Sequence, residues 1–295
     1  MEHIAIVGLG IIGGSFAKAI HHRFPKQYHV SAIDIDQKAI DEALSLGVIQ
    51  RGEIQNHTIL QQADLVIIAL YPNLVKQFIQ DHHADFKEGA IITEASGIKQ
   101  AIMAEILPVV PKQVEVIFGH PMAGRESQGF AFSDERVFLH ANYILTPHKD
   151  NTTEALDKFS EFIKGLGFGR LTVATPQLHD EMIAYTSQLT HIIAAALINS
   201  DQSEHATVDF IGDSFRELTR IAKMNESLWS ELMLNNREAL LQVFDAFEDK
   251  LSTIKEAILA QNQKALEREF VESTKRRLEL ETTDLAHSHA NERGK

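Results

Sequence analysis

An apolar run, Ile4 to Val7, opens directly into Gly8-x-Gly10-x-x-Gly13, and Ser15 to Ile20 continue with helical character. A buried strand feeding a glycine turn and then a helix is the opening of a dinucleotide-binding unit. Gly8 permits the tight turn, Gly10 lets the backbone approach a pyrophosphate, and Gly13 lets the helix pack close to the strand. The first helical N–H groups, at Ile11 and Ile12, then meet the phosphates with the positive end of the helix dipole.

Glycines alone are weak support, because the same spacing also makes an ordinary turn. The second strand strengthens the reading: Tyr28-His-Val-Ser-Ala-Ile-Asp34 ends in an acid about 20 residues beyond Gly13. An acid there accepts hydrogen bonds from a ribose 2′-hydroxyl and repels a 2′-phosphate, which selects NAD over NADP. The plainer alternative makes Asp34 a loop acid, with Asp36 capping the next helix.

Apolar strands alternate with helical stretches as far as Ala174. Strands are expected at Asp64–Leu70, Ala90–Thr93, Val114–Phe118, Tyr143–Thr146 and Leu171–Ala174, and helices at Gln37–Leu46, from Pro72, at Ile98–Leu107 and at Thr152–Leu166. Such alternation predicts a Rossmann-type, doubly wound α/β parallel sheet over residues 1–174. Beyond Thr175-Pro176 the periodicity is helical throughout: 178–200, 207–223 with Gly212 as an interruption, 226–261 and 262–280. The reading is an all-α domain over residues 175–281 and a disordered tail over 282–295. Leu189 to Ile198 are apolar nearly all round, which places that helix in a core or at a subunit interface. A bundle this small favours the interface.

With 44% hydrophobic and 23% charged residues, the composition is that of an ordinary globular protein. A net charge of −13 argues against nucleic acid or an anionic membrane as partner. The absence of cysteine excludes disulfides and thiolate metal sites and is compatible with a cytoplasmic location. No stretch approaches the ~20 apolar residues of a membrane span. The fifteen histidines are scattered without ligand spacing, so no metal site is expected.

Redox chemistry at a nicotinamide needs a group beyond the carboxyl ends of the strands. His120, in Phe118-Gly-His-Pro-Met-Ala-Gly-Arg-Glu126, follows the fifth strand at once. An imidazole there accepts a proton near neutrality; the bland reading is a loop histidine bonded to a carbonyl. Ser96, after the fourth strand, orients His120, binds substrate or caps the next helix. Arg216 and Arg220, four apart on a helix, suggest an anion site, with pairing to surface acids as the alternative.

Four segments together, Gly8-x-Gly10-x-x-Gly13, His120-Pro-Met-Ala-Gly124, Ser187-Gln-Leu-Thr-His191 and Phe215-Arg-Glu-Leu-Thr-Arg-Ile-Ala222 followed by Trp229, resemble the prephenate dehydrogenases of tyrosine biosynthesis from residue 1 to about 280. The resemblance implies a helical dimerisation domain like that of 6-phosphogluconate dehydrogenase, a homodimer, and NAD-dependent conversion of prephenate to 4-hydroxyphenylpyruvate and CO2. It implies that His120 is the catalytic histidine on the ring hydroxyl, with Ser96 beside it. It also implies that Arg220 holds a substrate carboxylate, that His191 lines the pocket, and that Trp229 closes it from its own or the other subunit. Arg216, Arg125 and Glu126 are further candidate substrate contacts. Where the family often has Ser-His-Leu-Pro-His, this chain reads Ser187-Gln-Leu-Thr-His191, and the glycines before the Phe-Arg stretch are reduced to Gly212. A regulatory ACT domain is not expected. The nearest alternative is arogenate dehydrogenase, whose substrate carries an ammonium that Glu126 would pair with; a loop salt bridge is the other reading of Glu126. More distant alternatives are another hydroxyacid dehydrogenase of the same fold group and a nucleotide sensor without turnover.

Overall fold

A computed structural model describes residues 1–55, 57–124, 127–202 and 206–293. The elements run β1 (His3–Val7), α1 (Ile11–Arg23), β2 (His29–Ile33), α2 (Gln37–Ser45), β3 (Arg51–Glu53), α3 (His57–Gln62), β4 (Leu65–Ile68), α4 (Pro72–Asp81), β5 (Ile91–Glu94) and α5 (Gln100–Ile106). They continue with β6 (Glu115–Pro121), β7 (Asn142–Thr146), α6 (Thr153–Gly165), β8 (Arg170–Val173), α7 (Pro176–Ile183), α8 (Leu189–Asn199), α9 (Asp213–Thr219), α10 (Glu226–Asn235), α11 (Arg237–Leu259) and α12 (Gln263–Arg293).

The eight strands form one sheet in the order β3-β2-β1-β4-β5-β6-β7-β8. Successive side chains of a strand point to opposite faces, and both faces are covered. Ile4 and Ile6 enter one buried cluster with Phe16, Ile20 and Phe159, while Ala5 and Val7 enter another with Val75, Ile79 and Ile102. The sheet is therefore doubly wound, as expected. It departs from a purely parallel sheet at one place: β7 runs antiparallel to β6, pairing His120 with Ile144, and β8 is again parallel to β7. The short pair β3 and α3 lies between expected elements. β3 is a polar three-residue edge strand, Arg-Gly-Glu, with no apolar run to announce it.

The chain divides into two compact units, Met1–Asn236 and Arg237–Lys295. Helices that the sequence groups with the second domain, α7 to α10, thus stand in the unit that contains the sheet. The physical tie is at α7. Thr175 caps it and Pro176 starts it, and Asp180 on its inner side accepts from the backbone N–H groups of Lys99 and Gln100 at 2.7 and 2.8 Å, which caps α5 from outside.

Between α7 and α8 the helix widens into a π-turn over Ala184–Gln188. The buried Gln188 donates to the Leu232 carbonyl at 3.1 Å and accepts from Asn236 Nδ2 at 2.9 Å. Asn236 also donates to the Asp180 carbonyl at 2.9 Å. These bonds explain why the helix expected over 226–261 stops at Asn235: tertiary partners hold the Asn236 side chain and break the run. The stretch 207–223 is likewise shorter than its periodicity, with 3-10 turns at Thr207–Phe210 and Arg220–Ala222 on either side of α9. In the second unit α11 and α12 pack on each other, with Lys250 Nζ 3.5 Å from Glu269. Residues 282–293, expected as disordered tail, continue α12. Leu285, Ala286, Ala290, Glu292 and Arg293 are good helix formers among weaker ones, and i,i+4 pairs such as Arg277–Glu281, at 3.0 Å, support the turns leading in.

Candidate active site

Gly8 has φ +90, a conformation other residues rarely adopt. A Cβ on Gly8 would lie 2.6 Å from the Ala69 carbonyl oxygen, and one on Gly13 only 1.8 Å from the Gly8 oxygen. The chain itself demands both glycines. Gly10 differs: a Cβ there would meet nothing within 4 Å. The open space lies at the N-terminus of α1, which no side chain caps. Space for a phosphate and uncapped N–H groups at Ile11 and Ile12 are what a pyrophosphate requires, so the turn fits NAD. Gly10→Val is expected to leave the thermal stability of the free protein near wild type and to weaken NAD binding by ~10²-fold or more, since the side chain would take the place of phosphate. Thermal melting and NADH fluorescence titration measure the two effects.

Asp34 follows β2 directly and binds back to the glycine turn. Its carboxylate accepts from Leu9 N through one oxygen and from Asp36 N, at 2.7 Å, through the other. Each oxygen keeps a lone pair for ribose hydroxyls. Asp36 takes the capping role on α2, accepting from Lys38 N at 2.9 Å.

Register aligns the strand ends. Val7 pairs with Ile68, Ile68 with Glu94, and Glu94 with Phe118. Two residues further on, Leu9, Leu70, Ser96 and His120 occupy one row at the carboxyl edge. The chain order reverses between β1 and β4, and ligands of such sheets sit in the crevice at that switch point. A Cβ on Gly97 would lie 3.7 Å from His120 Cε1, so the loop after β5 lies against the imidazole.

His120 Nδ1 lies 2.9 Å from Nε2 of His179 on α7, and His179 Nδ1 lies 2.7 Å from Asp180 Oδ1. Burial holds His120 well below the ordinary imidazole value, and the facing His179 and Lys99 push the same way. Burial also lowers His179, against the opposing pull of its bond to Asp180. Among the described residues nothing hydrogen-bonds His120 Nε2.

Ser96 does not cap α5, whose N-terminus Asp180 serves instead. The Ser96 backbone N–H donates to Glu94 Oε2 at 2.8 Å, and its hydroxyl donates to the same oxygen. Only the hydroxyl's acceptor capacity is left for a ligand. Glu94 in turn is paired with Lys99, Nζ to Oε1 2.6 Å, with both side chains buried. Lys99 also donates to the Ser96 and Ile98 carbonyls at 2.8 and 3.2 Å. Burial lowers the Lys99 ammonium and the Glu94 carboxylate opposes that.

His191 on α8 stacks on Trp229 of α10 in the same chain, with ring centroids 3.6 Å apart, and its Nδ1 bonds the Ser187 carbonyl at 2.8 Å. The turn carrying Arg220 packs on α8. Arg220 is exposed and lies beyond the end of α9, so it does not share a continuous α-helix with Arg216. Arg216 pairs with Asp213 at 3.1 Å on the surface. Arg125 and Glu126 lie outside the described residues.

Sequence reasoning missed His179, Asp180, Glu94 and Lys99. The available signal was an acid and a lysine bracketing Ser96, and a His-Asp pair one turn into a Pro-initiated helix.

Residues 16–172 match the family model described as the prephenate dehydrogenase nucleotide-binding domain, and 175–272 match the prephenate dehydrogenase dimerization domain. The cyclohexadienyl dehydrogenase of Zymomonas mobilis is 31% identical over 288 residues, covering 95% of this chain and 97% of that protein. The prephenate dehydrogenase of Bacillus subtilis is 29% identical over 276 residues, covering 91% of this chain and 73% of that protein. The crystal structure of Aquifex aeolicus prephenate dehydrogenase in complex with hydroxyphenyl propionate and NAD+ has a TM-score of 0.86 to this fold at 26% identity, over 95% of this chain and 98% of that one. Two family models matched in order across sheet and helices, on a chain with a strand-end histidine beside a dinucleotide turn, place it: the chain belongs to the prephenate dehydrogenase family.

Proposed function

We propose that this chain catalyses the NAD-dependent oxidative decarboxylation of prephenate to 4-hydroxyphenylpyruvate. The observation that carries the reading is His120, a neutral imidazole in the strand-end row of the glycine turn, with Nδ1 tied to His179 and Nε2 left to accept a proton. Gly8, Gly10 and Gly13, the Ile11 and Ile12 N–H groups and Asp34 hold the dinucleotide. NAD, when bound, supplies the acceptor for the hydride that leaves the ring carbon. His120 Nε2 takes the proton of the ring hydroxyl. The carbonyl forming at that carbon draws in the electrons of the breaking carbon–carboxylate bond, CO2 leaves, and the ring becomes aromatic. Ser96 offers an acceptor lone pair beside His120. Arg220, with His191 and Trp229 on the neighbouring helices, meets the carboxylates of the dianion, and Arg216 adds positive charge nearby.

Prephenate and arogenate, each assayed with NAD and with NADP by absorbance of the reduced cofactor, test the reading. Turnover of prephenate with NAD is expected. Absence of turnover, or turnover of arogenate alone, overturns it. Arg220→Ala is expected to raise KM for prephenate by about 10–100-fold, the loss of a charge-assisted hydrogen bond, with kcat changed less. An unchanged KM removes Arg220 from the site.

We further propose that the protein acts as a homodimer in the cytoplasm; the apolar surface left on the helices supports the dimer. Leu197 and Ile198 of α8 are 37% and 40% exposed, and Phe270, Val271 and Leu278 of α12 more so. No helix among the described residues is long and apolar enough to cross a membrane. Light scattering of the purified chain reads the oligomeric state.

A further inference from the structure

The groups behind His120 form a chain in which each fixes the proton position of the next. Asp180 Oδ1 receives the Lys99 N–H and faces His179 Nδ1, both at 2.7 Å, and Oδ2 receives the Gln100 N–H at 2.8 Å. A carboxylate only accepts, so His179 must carry its proton on Nδ1. A neutral His179 then presents a lone pair at Nε2, 2.9 Å from His120 Nδ1. His120 must donate through Nδ1, and its own lone pair is left at Nε2. A free histidine prefers the opposite arrangement, with hydrogen on Nε2, in which His120 could not accept a proton there.

We propose that His179 and Asp180 are positioning residues that lock His120 in its Nδ1–H tautomer, so that the base faces substrate with a lone pair. The inference rests on His120 being the base of the proposed reaction. His179 is 1% exposed and faces His120 through Nε2, and Asp180 is anchored on the α5 N-terminus. Asp180 thus ties the helix that follows the Ser96 loop to the ring of His120.

The test replaces His179, because altering Asp180 would also release α5. In the wild-type chain labelled with 15N-histidine and free of substrate, the His120 ring is expected to show a protonated Nδ1 and an unprotonated Nε2 at neutral pH. His179→Leu is expected to bring in the Nε2–H tautomer of His120 and to lower kcat at least about tenfold, part of the 10²–10⁴-fold a general base supplies, with NADH affinity kept. His179→Gln, whose amide oxygen reaches the place of Nε2, is expected to restore the Nδ1–H tautomer and most of the turnover. His179→Asn, polar but too short to reach, should behave as leucine does and serves if leucine disturbs packing. A His120 that stays wholly Nδ1–H in both the leucine and asparagine variants overturns the proposal, as does wild-type turnover in them. The tautomer is read without substrate. A wild-type chain inert toward prephenate therefore defeats the proposed function alone, and an Nε2–H tautomer in an active wild-type enzyme defeats this inference alone.

Discussion

His120→Asn lowers turnover by about 10²–10⁴-fold, the contribution of a positioned general base, and leaves NAD affinity and folding close to wild type. The separation follows from geometry. An asparagine amide nitrogen falls near the place of histidine Nδ1, so it still donates to His179 Nε2, which in the native chain is 2.9 Å away. What disappears is Nε2, the atom that takes the hydroxyl proton. Steady-state kinetics with prephenate and fluorescence titration with NADH measure the two quantities. Wild-type turnover in this variant removes His120 from the chemistry. The pH dependence has a fixed sign. Burial disfavours the imidazolium, so His120 stays neutral as pH falls through 6.5, and the acid limb of kcat/KM lies below the ordinary histidine value. Stability moves the other way. The unfolded chain takes up the proton first, so below 6.5 the native state loses stability relative to it until the depressed native value is reached. His120→Asn removes the His120 share of that slope and leaves that of His179.

Lys99→Met lowers stability by about 3–5 kcal/mol, the cost of leaving one member of a buried ion pair without its partner. Both side chains of the Lys99–Glu94 pair are shielded from water, at 0% and 1% exposure, and the Ser96 and Ile98 carbonyls lose a donor at the same time. For a unit of this size each kcal/mol is worth about 2–4 °C, so the melting temperature falls by ~6–20 °C. Adding Glu94→Gln to Lys99→Met recovers part of the loss, because no bare charge remains. Arg216→Ala, which breaks a solvent-exposed pair, changes melting little. A Lys99→Met protein that melts like wild type shows that the pair adds nothing to the fold.

The glycine turn, the alternating strands and the acid at Asp34 were legible because they are local: each is a short pattern whose physics needs no distant partner. His120 was legible for the same reason, as a residue at the carboxyl end of a buried strand. The network behind it was not. His179 and Asp180 arrive from a helix that begins after the sheet is complete, and a polar pair on a helix reads as surface until the fold buries it. Lys99 read as the start of a helix, since nothing local shows that its ammonium turns back to Glu94. Strand direction is absent from strand composition, which is why the reversal of β7 went unseen. Helical periodicity ran through Asn236 because the bonds that break the helix there come from Asp180 and Gln188. Polarity suggested disorder in the last residues, yet they extend α12 instead.

The π-turn at Ala184–Gln188 makes residue count a property of the site in its own right. Each residue of an α-helix advances the direction of its side chain by about 100°. The wide turn spreads one extra residue over Ala184–Gln188, so the turns on either side keep their phase. A residue added to or removed from the regular turns of α7 or α8 has no such slack and would turn every later position by that angle. His191 would then face away from Trp229, although no side chain in the pocket had been replaced. The segment therefore tolerates exchanges of residue type better than a change of length in its regular turns, and its angular phase decides which side chains meet.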